Sequence, residues 1–262
     1  DWTDTGKHDK NMRSVIKGIT RGIVRSDSTG DPDVLAYLEA LADAGESPTA
    51  PQIAAIETFV ATGKDEGWYS EIKRFYLPIW AAALPNSLCM VSGTNGTFVG
   101  TVTHAAGYIV GDGLTGYFRT DARVNTLAST EDVLFGALTK TVQTGSNNYS
   151  LGTGSTGGTS IRLGSESSPN LPIAIFPGVV KKLGVIGTDG VTHGARSGGS
   201  TFCGNKKGNA SYAEGFTTGA LTGGFSDFLV AIMATGTSDS NASNYSGAEH
   251  GAAYIATGMN AT

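Results

Sequence analysis

The chain lacks most of what would identify a common chemistry. It has two cysteines, Cys89 and Cys203, far apart and in no C-x-x-C, so neither a zinc site nor thiol redox chemistry finds support. The expectation is two buried thiols, with a single disulfide left open. Charged residues make up only 16% of the chain, against about 25% in ordinary soluble domains. With a net charge of -5 and a pI near 5.3 there is no surplus of lysine or arginine to neutralise phosphates, which argues against nucleic acid as a partner. No apolar run approaches the roughly 18 residues of a spanning helix, so no membrane insertion is expected. No charged-then-apolar leader opens the chain, whose first residue is Asp.

Paired catalytic groups are missing too. His8, His104, His193 and His250 never fall at metal-ligand spacing, and surface or loop positions are expected for them. Glu131 and Asp132 are adjacent, so on a strand they point to opposite faces. Asp112, Asp121, Glu166, Asp189, Glu214, Asp227 and Glu249 are isolated, mostly beside turns, where a carboxylate commonly accepts local hydrogen bonds. A glycoside hydrolase needs two carboxylates facing each other. No catalytic residue is assigned, and the expectation is a protein that is not an enzyme.

Glycine, by contrast, is abundant at 38 residues, roughly double its usual share. It already recurs in the first part of the chain, at Gly6, Gly18, Gly22 and Gly30. Residues 1–30 form a polar arm or linker with one weak amphipathic patch, Val15, Ile16, Ile19 and Ile23, which are candidate assembly contacts. Residues 31–80 carry helical spacing and written caps. Asp31-Pro32 starts a helix with Val34, Leu35, Leu38 and Leu41 on one face, and Gly45 stops it. Thr49-x-x-Gln52 is a capping box for a second, with Ile53, Ile56, Phe59 and Val60 inward. A third is predicted from near Asp65, gathering Trp68, Ile72, Phe75 and Tyr76 before Pro78. Three short amphipathic helices make a small module, with Trp68 and Trp80 expected to pack it onto the remainder of the protein.

From residue 87 to 262 the texture changes to runs of 4 to 8 residues, such as "GTFVGTV", "DVLFGALT" and "DFLVAIMAT", separated by Gly, Ser, Thr and Asn clusters. This predicts an antiparallel β-sandwich, the larger domain of a mainly β protein. One stretch invites another reading. "GYIVGDGLTGYFRTD" contains Gly111-Asp-Gly113-Leu-Thr-Gly116, the spacing of a dinucleotide-binding loop. Such a loop must open a helix, and the continuation "YFRTDARVNT" alternates as a strand does. The glycines are therefore expected to form a hairpin turn.

The order of the capped helices in "DPDVLAYLEALADAGESPTAPQIAAIETFVATGKDEGWYSEIKRFYLPIW" and then "GYIVGDGLTGYFRTD" resembles a family of phage virion structural proteins. These carry a concanavalin A-like, or laminin G-like, jelly roll behind a small helical module. Residues 31 to 121 carry most of the resemblance, and "GAEHGAAYIATGM" resembles the family's penultimate strand more loosely. It implies a component of the particle exterior, in a tail fibre, baseplate or capsid decoration. Other virion proteins, copies of itself and a host-surface glycan are the partners it implies. No catalytic signature comes with it. No cofactor is expected, with calcium kept open at loop carboxylates Asp112, Asp121, Asp189 and Asp239. Receptor recognition by sugar binding and polysaccharide depolymerisation are the alternatives.

A sugar site on a β-sandwich generally needs an aromatic platform flanked by hydrogen-bonding groups. The strand region offers Tyr108, Tyr117, Tyr149, Tyr212 and Tyr245. The last three fall in Asn- and Ser-rich segments read as loops, "NNYSLG", "NASYAEG" and "NASNYSG", and are the candidate carbohydrate or partner contacts. The N-x-S/T triplets at Asn95, Asn148, Asn209, Asn241 and Asn244 are expected by chance in a chain so rich in these residues.

Overall fold

A computed structural model describes residues 30–129, 132–141, 148–153, 161–165, 172–176, 179–182, 190–197, 200–207, 210–217, 229–236, 241–243 and 245–257. The candidate assembly contacts Val15, Ile16, Ile19 and Ile23 lie outside these residues. The chain divides into two compact units, one ending at Tyr69 and one beginning at Ser70.

The first unit is a helical hairpin. Helix α1 (Pro32–Asp43) starts where the Asp31 carboxylate accepts the amide of Asp33 at 3.0 Å. It ends in a Schellman turn, with Glu46 N donating to Leu41 O and Gly45 supplying a φ of 84°. Val34, Tyr37, Leu38 and Leu41 are its buried face. Helix α2 (Ala50–Asp65) begins at the expected box, in which Gln52 Oε1 accepts the Thr49 amide at 2.7 Å. Ile56, Val60 and Gly63 are buried. A Cβ on Gly63 would lie 2.6 Å from the Trp68 ring, so only glycine lets that indole fold back. Phe59 meets the same indole edge-on at 5.1 Å. Lys64 near the end of α2 reaches Asp31 and Asp33 at the start of α1, at 2.7 and 2.6 Å.

The predicted third helix is absent. Gly67, with φ 81°, breaks the chain, a 3-10 turn follows at Tyr69–Glu71, and residues Ile72–Tyr76 are strand β1. The reason is a β-bulge between Ile72 and Arg74, which spaces the apolar residues three and one apart and so imitates a helical period. A short helix α3 (Ala83–Asn86) then precedes the remaining strands. These are β2 (Thr97–Val99), β3 (Val102–Ala105), β4 (Tyr108–Gly111) and β5 (Tyr117–Arg123), the last running into helix α4 (Val124–Leu127). After them come β6 (Asp132–Thr139), β7 (Asn148–Gly152), β8 (Arg162–Ser165), β9 (Pro172–Phe176) and β10 (Val179–Lys182). The long strands β11 (Gly190–Ser197), β12 (Ser200–Lys207) and β13 (Ala210–Thr217) form a meander. Strands β14 (Leu229–Ile232), β15 (Thr235–Gly236), β16 (Ala242–Ser243) and β17 (Glu249–Ala256) complete the set.

The strands build an antiparallel β-sandwich, so the protein is mainly β with helices ahead of the sandwich. An eight-stranded sheet runs β13-β12-β11-β6-β17-β4-β3, with β1 also pairing β17, and a seven-stranded sheet runs β10-β9-β8-β7-β14-β5-β2. Alternate residues of each sheet meet between them: Ile109, Val133, Phe135, Ala137, Ala253 and Ile255 from one, Phe118, Ala122, Leu151, Leu163, Val230 and Ile232 from the other. At the margin, the Tyr76 hydroxyl donates to Asp121 at 2.6 Å and Arg74 grips the same carboxylate at 3.2 Å, tying β1 to β5 of the opposite sheet. Cys89 is buried.

The G-x-G-x-x-G stretch is a turn, as expected, but not of a hairpin. It carries the chain from β4 in one sheet to β5 in the other. Asp112 organises it, accepting the amides of Leu114, Thr115 and Gly116 and the Thr115 hydroxyl. These bonds hold its carboxyl well below the usual range, the Thr115 hydroxyl foremost. The amides a phosphate would use are thus already engaged by the protein's own carboxylate.

Candidate functional site

The side of the eight-stranded sheet facing away from the core carries an unusual row. Phe75 on β1 pairs with Tyr254 on β17, Tyr254 with Gly136 on β6, and Gly136 with His193 on β11. Core-facing neighbours Ala253, Ile255, Phe135 and Ala137 fix the opposite parity for Tyr254 and Gly136. Side chains on a sheet normally stand up from it, but Tyr254 leans sideways. A Cβ at Gly136 would meet its Cε1, Cζ and hydroxyl oxygen at 2.4 Å each, so the phenol end of the ring occupies the space that glycine leaves. Strand glycine here admits an aromatic ring laid across the sheet.

Tyr254 and His193 are both half-buried. Burial pushes the Tyr254 phenol up to about 12 and lowers the His193 imidazole, so both are neutral at pH 7. A neutral phenol and a neutral imidazole each offer a donor and an acceptor. The rows on either side are apolar: Ala252, Leu138 and Val191 along one, Ala256, Leu134 and Ala195 along the other. The result is an aromatic surface with two amphoteric polar groups and no charge among the described residues of these three rows.

The tyrosines expected from the sequence lie elsewhere. Tyr149 is not in a loop but on β7, 2% exposed, with the Arg162 guanidinium 5.6 Å over its ring. A ring so covered presents no face to a ligand. Tyr212 is likewise on a strand, β13, paired with Asn205, and its side chain falls outside the description. Tyr245 is in a loop, where its hydroxyl donates to Ala242 O at 2.6 Å and its ring packs 6.0 Å from Tyr117, over the outer face of the seven-stranded sheet. It anchors that loop. The three are not brought together.

The histidines also depart from expectation. His104 sits on β3, edge-on to Phe98 at 4.5 Å and 3.0 Å from the amide nitrogen of Asn86, which also bonds both backbone groups of Trp80. His250 is completely buried on β17, with Nε2 3.1 Å from Ser246 Oγ and Nδ1 without a partner among the described residues. His8 lies outside the described residues. Of the loop carboxylates considered for calcium, Asp112 and Asp121 are engaged as described, and Asp189 and Asp239 lie outside the described residues. Among the described residues no three His, Cys, Asp or Glu side chains gather into a metal-holding group. Trp68 packs on Phe59 in the first unit, and Trp80 is buried in the second.

Sequence reasoning missed Tyr254 and His193. The available signal was Gly136, a glycine in the middle of the apolar strand "DVLFGALT", which often marks close approach of another group.

No family model matches the sequence, and no curated protein is similar to it at a significant level. Solved structures share the outline of the fold. A sialidase from Trypanosoma rangeli matches with a TM-score of 0.48 and 10% identity, over 79% of this chain but 37% of its own. Domain 4 of AbnA, an extracellular arabinanase from Geobacillus stearothermophilus, matches at 0.45 and 13% identity, over 71% of this chain and 93% of its own. The lumenal domain of VIP36 matches at 0.42 and 10% identity, over 74% and 92%. The chain therefore spans little more than a third of the sialidase it resembles. These likenesses concern fold alone. They nonetheless correct the expectation of a protein without enzymatic activity, because the sandwich is shared in outline with a sialidase and with part of an arabinanase.

Proposed function

We propose that this chain is a carbohydrate-binding β-sandwich carried on the outside of a phage particle. The observation that supports the binding reading is the Tyr254 ring laid across Gly136 beside His193, on the outer side of the eight-stranded sheet. A sugar ring has an apolar C–H face and a rim of hydroxyls. The aromatic surface suits the face, and the neutral phenol and imidazole suit the rim, each able to give or accept a hydrogen bond as the hydroxyl requires. Few polar groups amid apolar surroundings is the usual composition of a small-ligand site.

The particle setting is supported by the resemblance of residues 31 to 121 to virion proteins. In that setting residues 1–30 and copies of the chain supply attachment, and repetition makes a shallow sugar site adequate through effective concentration.

The reading is tested by oligosaccharide binding to the full chain, measured by calorimetry or ligand-observed NMR. Tyr254→Ala is expected to weaken binding by at least about tenfold, equivalent to roughly 1.4 kcal/mol. Gly136→Ala displaces the phenol end and has the same effect with the sandwich intact. Binding that survives both changes, or no binding by the unaltered protein, defeats the proposal. Released reducing ends in the same samples would show that the bound sugar is also cleaved.

A further inference from the structure

We infer that the Tyr254 face selects uncharged glycan and rejects sugars bearing carboxylate or sulfate, an inference that rests on the carbohydrate reading above. The placement of charge on the sheet carries it. Three parallel rows cross β17, β6 and β11 on this face, and every described position in them is apolar, glycine, tyrosine or histidine. A carboxylate brought onto these rows loses water and finds no cation in exchange among their described positions, which is unfavourable. A hydroxyl loses water and finds Tyr254 or His193.

The basic residues of the neighbouring elements hold positions outside the row. Lys206 on β12 takes the position paired with Val191, one row removed from His193. The position paired with His193 on that strand is Gly204, and beyond it comes Ala213 on β13, so the row continues without charge. Lys140, beyond the end of β6, stands 5.3 Å over the Tyr108 ring, and Glu249 begins β17. By register, the titratable residues nearest His193 on the described strands are thus Tyr254, in its own row, and Lys206, at a position one row away.

The test uses the full chain with two probe sets, neutral xylo-, manno- and arabino-oligosaccharides, and acidic oligogalacturonate and sialyllactose, at low and high salt. The expected result is binding of a neutral probe with affinity unchanged by salt, and no acidic probe bound within about tenfold of it. Lys206→Gln should leave that affinity unchanged. His193→Lys, which places a cation in the row, should bring acidic probes up by about tenfold or more while lowering the neutral one. Preference for an acidic probe in the unaltered protein, or loss of binding in Lys206→Gln, overturns this inference while leaving the carbohydrate reading standing. If neither set binds and Tyr254→Ala instead converts an oligomer to a monomer, the face is a contact between copies and both readings fall.

Discussion

Single residues set the chemistry here, and His250 shows how far position overrides type. It is fully buried, its Nδ1 has no partner among the described residues, and burial lowers it to about 3. An unfolded histidine titrates near 6.5, so below that pH the unfolded chain takes up a proton that the folded one refuses. Stability is therefore whole above about pH 6.5 and falls as the pH drops toward 3, with a slope up to roughly 1.4 kcal/mol per pH unit from this group. Urea unfolding midpoints measured across that range should show the decline, and a His250→Gln protein should show a shallower one. Equal slopes would mean the group does not govern acid stability. From the sequence His250 looked like a loop histidine. What buries it is pairing of β17 with both β4 and β6, partners about 110 to 140 positions earlier in the chain and invisible to local pattern.

Elements were legible in proportion to how locally they are specified. Both helices of the first unit begin where their caps are written, and the first ends at Gly45 as read, because an N-terminal cap is a bond between residues two or three apart. Strand β1 was misread because its identity comes from β17 and its bulge. The Tyr254 row was illegible for the same reason, since four separate strands contribute one residue each. The β4-to-β5 connection falls between these cases. Its turn is local, held by Asp112, but its crossing between sheets is not. That crossing depends on contact so close that a Cβ on Gly116 would sit 2.0 Å from Thr101 O, which is backbone and cannot yield. Gly116→Ala is expected to cost at least about 2 kcal/mol in unfolding free energy, whereas an alanine at the open position Gly45 acts only through its φ of 84° and costs about half of that. Thermal or chemical denaturation of the two variants checks the ranking.

For the whole molecule, the boundary at Tyr69 and Ser70 differs from a helical module ending at residue 80, since β1 belongs with the sandwich. A fragment of residues 70–262 is expected to unfold in one cooperative transition, because both sheets and the core between them are then complete. A fragment of residues 87–262 lacks Tyr76, which is buried in that core and bonded to Asp121, and leaves Ala253 to Ala256 without their partner on one side. It should be markedly less stable or aggregate, as seen by calorimetry and light scattering. Equal stability of the two fragments would show that β1 is dispensable.

Strand β17 lies in the interior of its sheet, with β6 on one side and β4 and β1 on the other, yet among the described strands it comes after all of these in chain order. A ribosome therefore delivers this centrepiece after every neighbour it must join. Until it emerges, the nascent chain holds two half-sheets with open margins and no means of closing them. Where many copies are made at once, the first such segment to arrive can come from a neighbouring chain, and a full-length product with exchanged β17 is the characteristic error this order of synthesis invites.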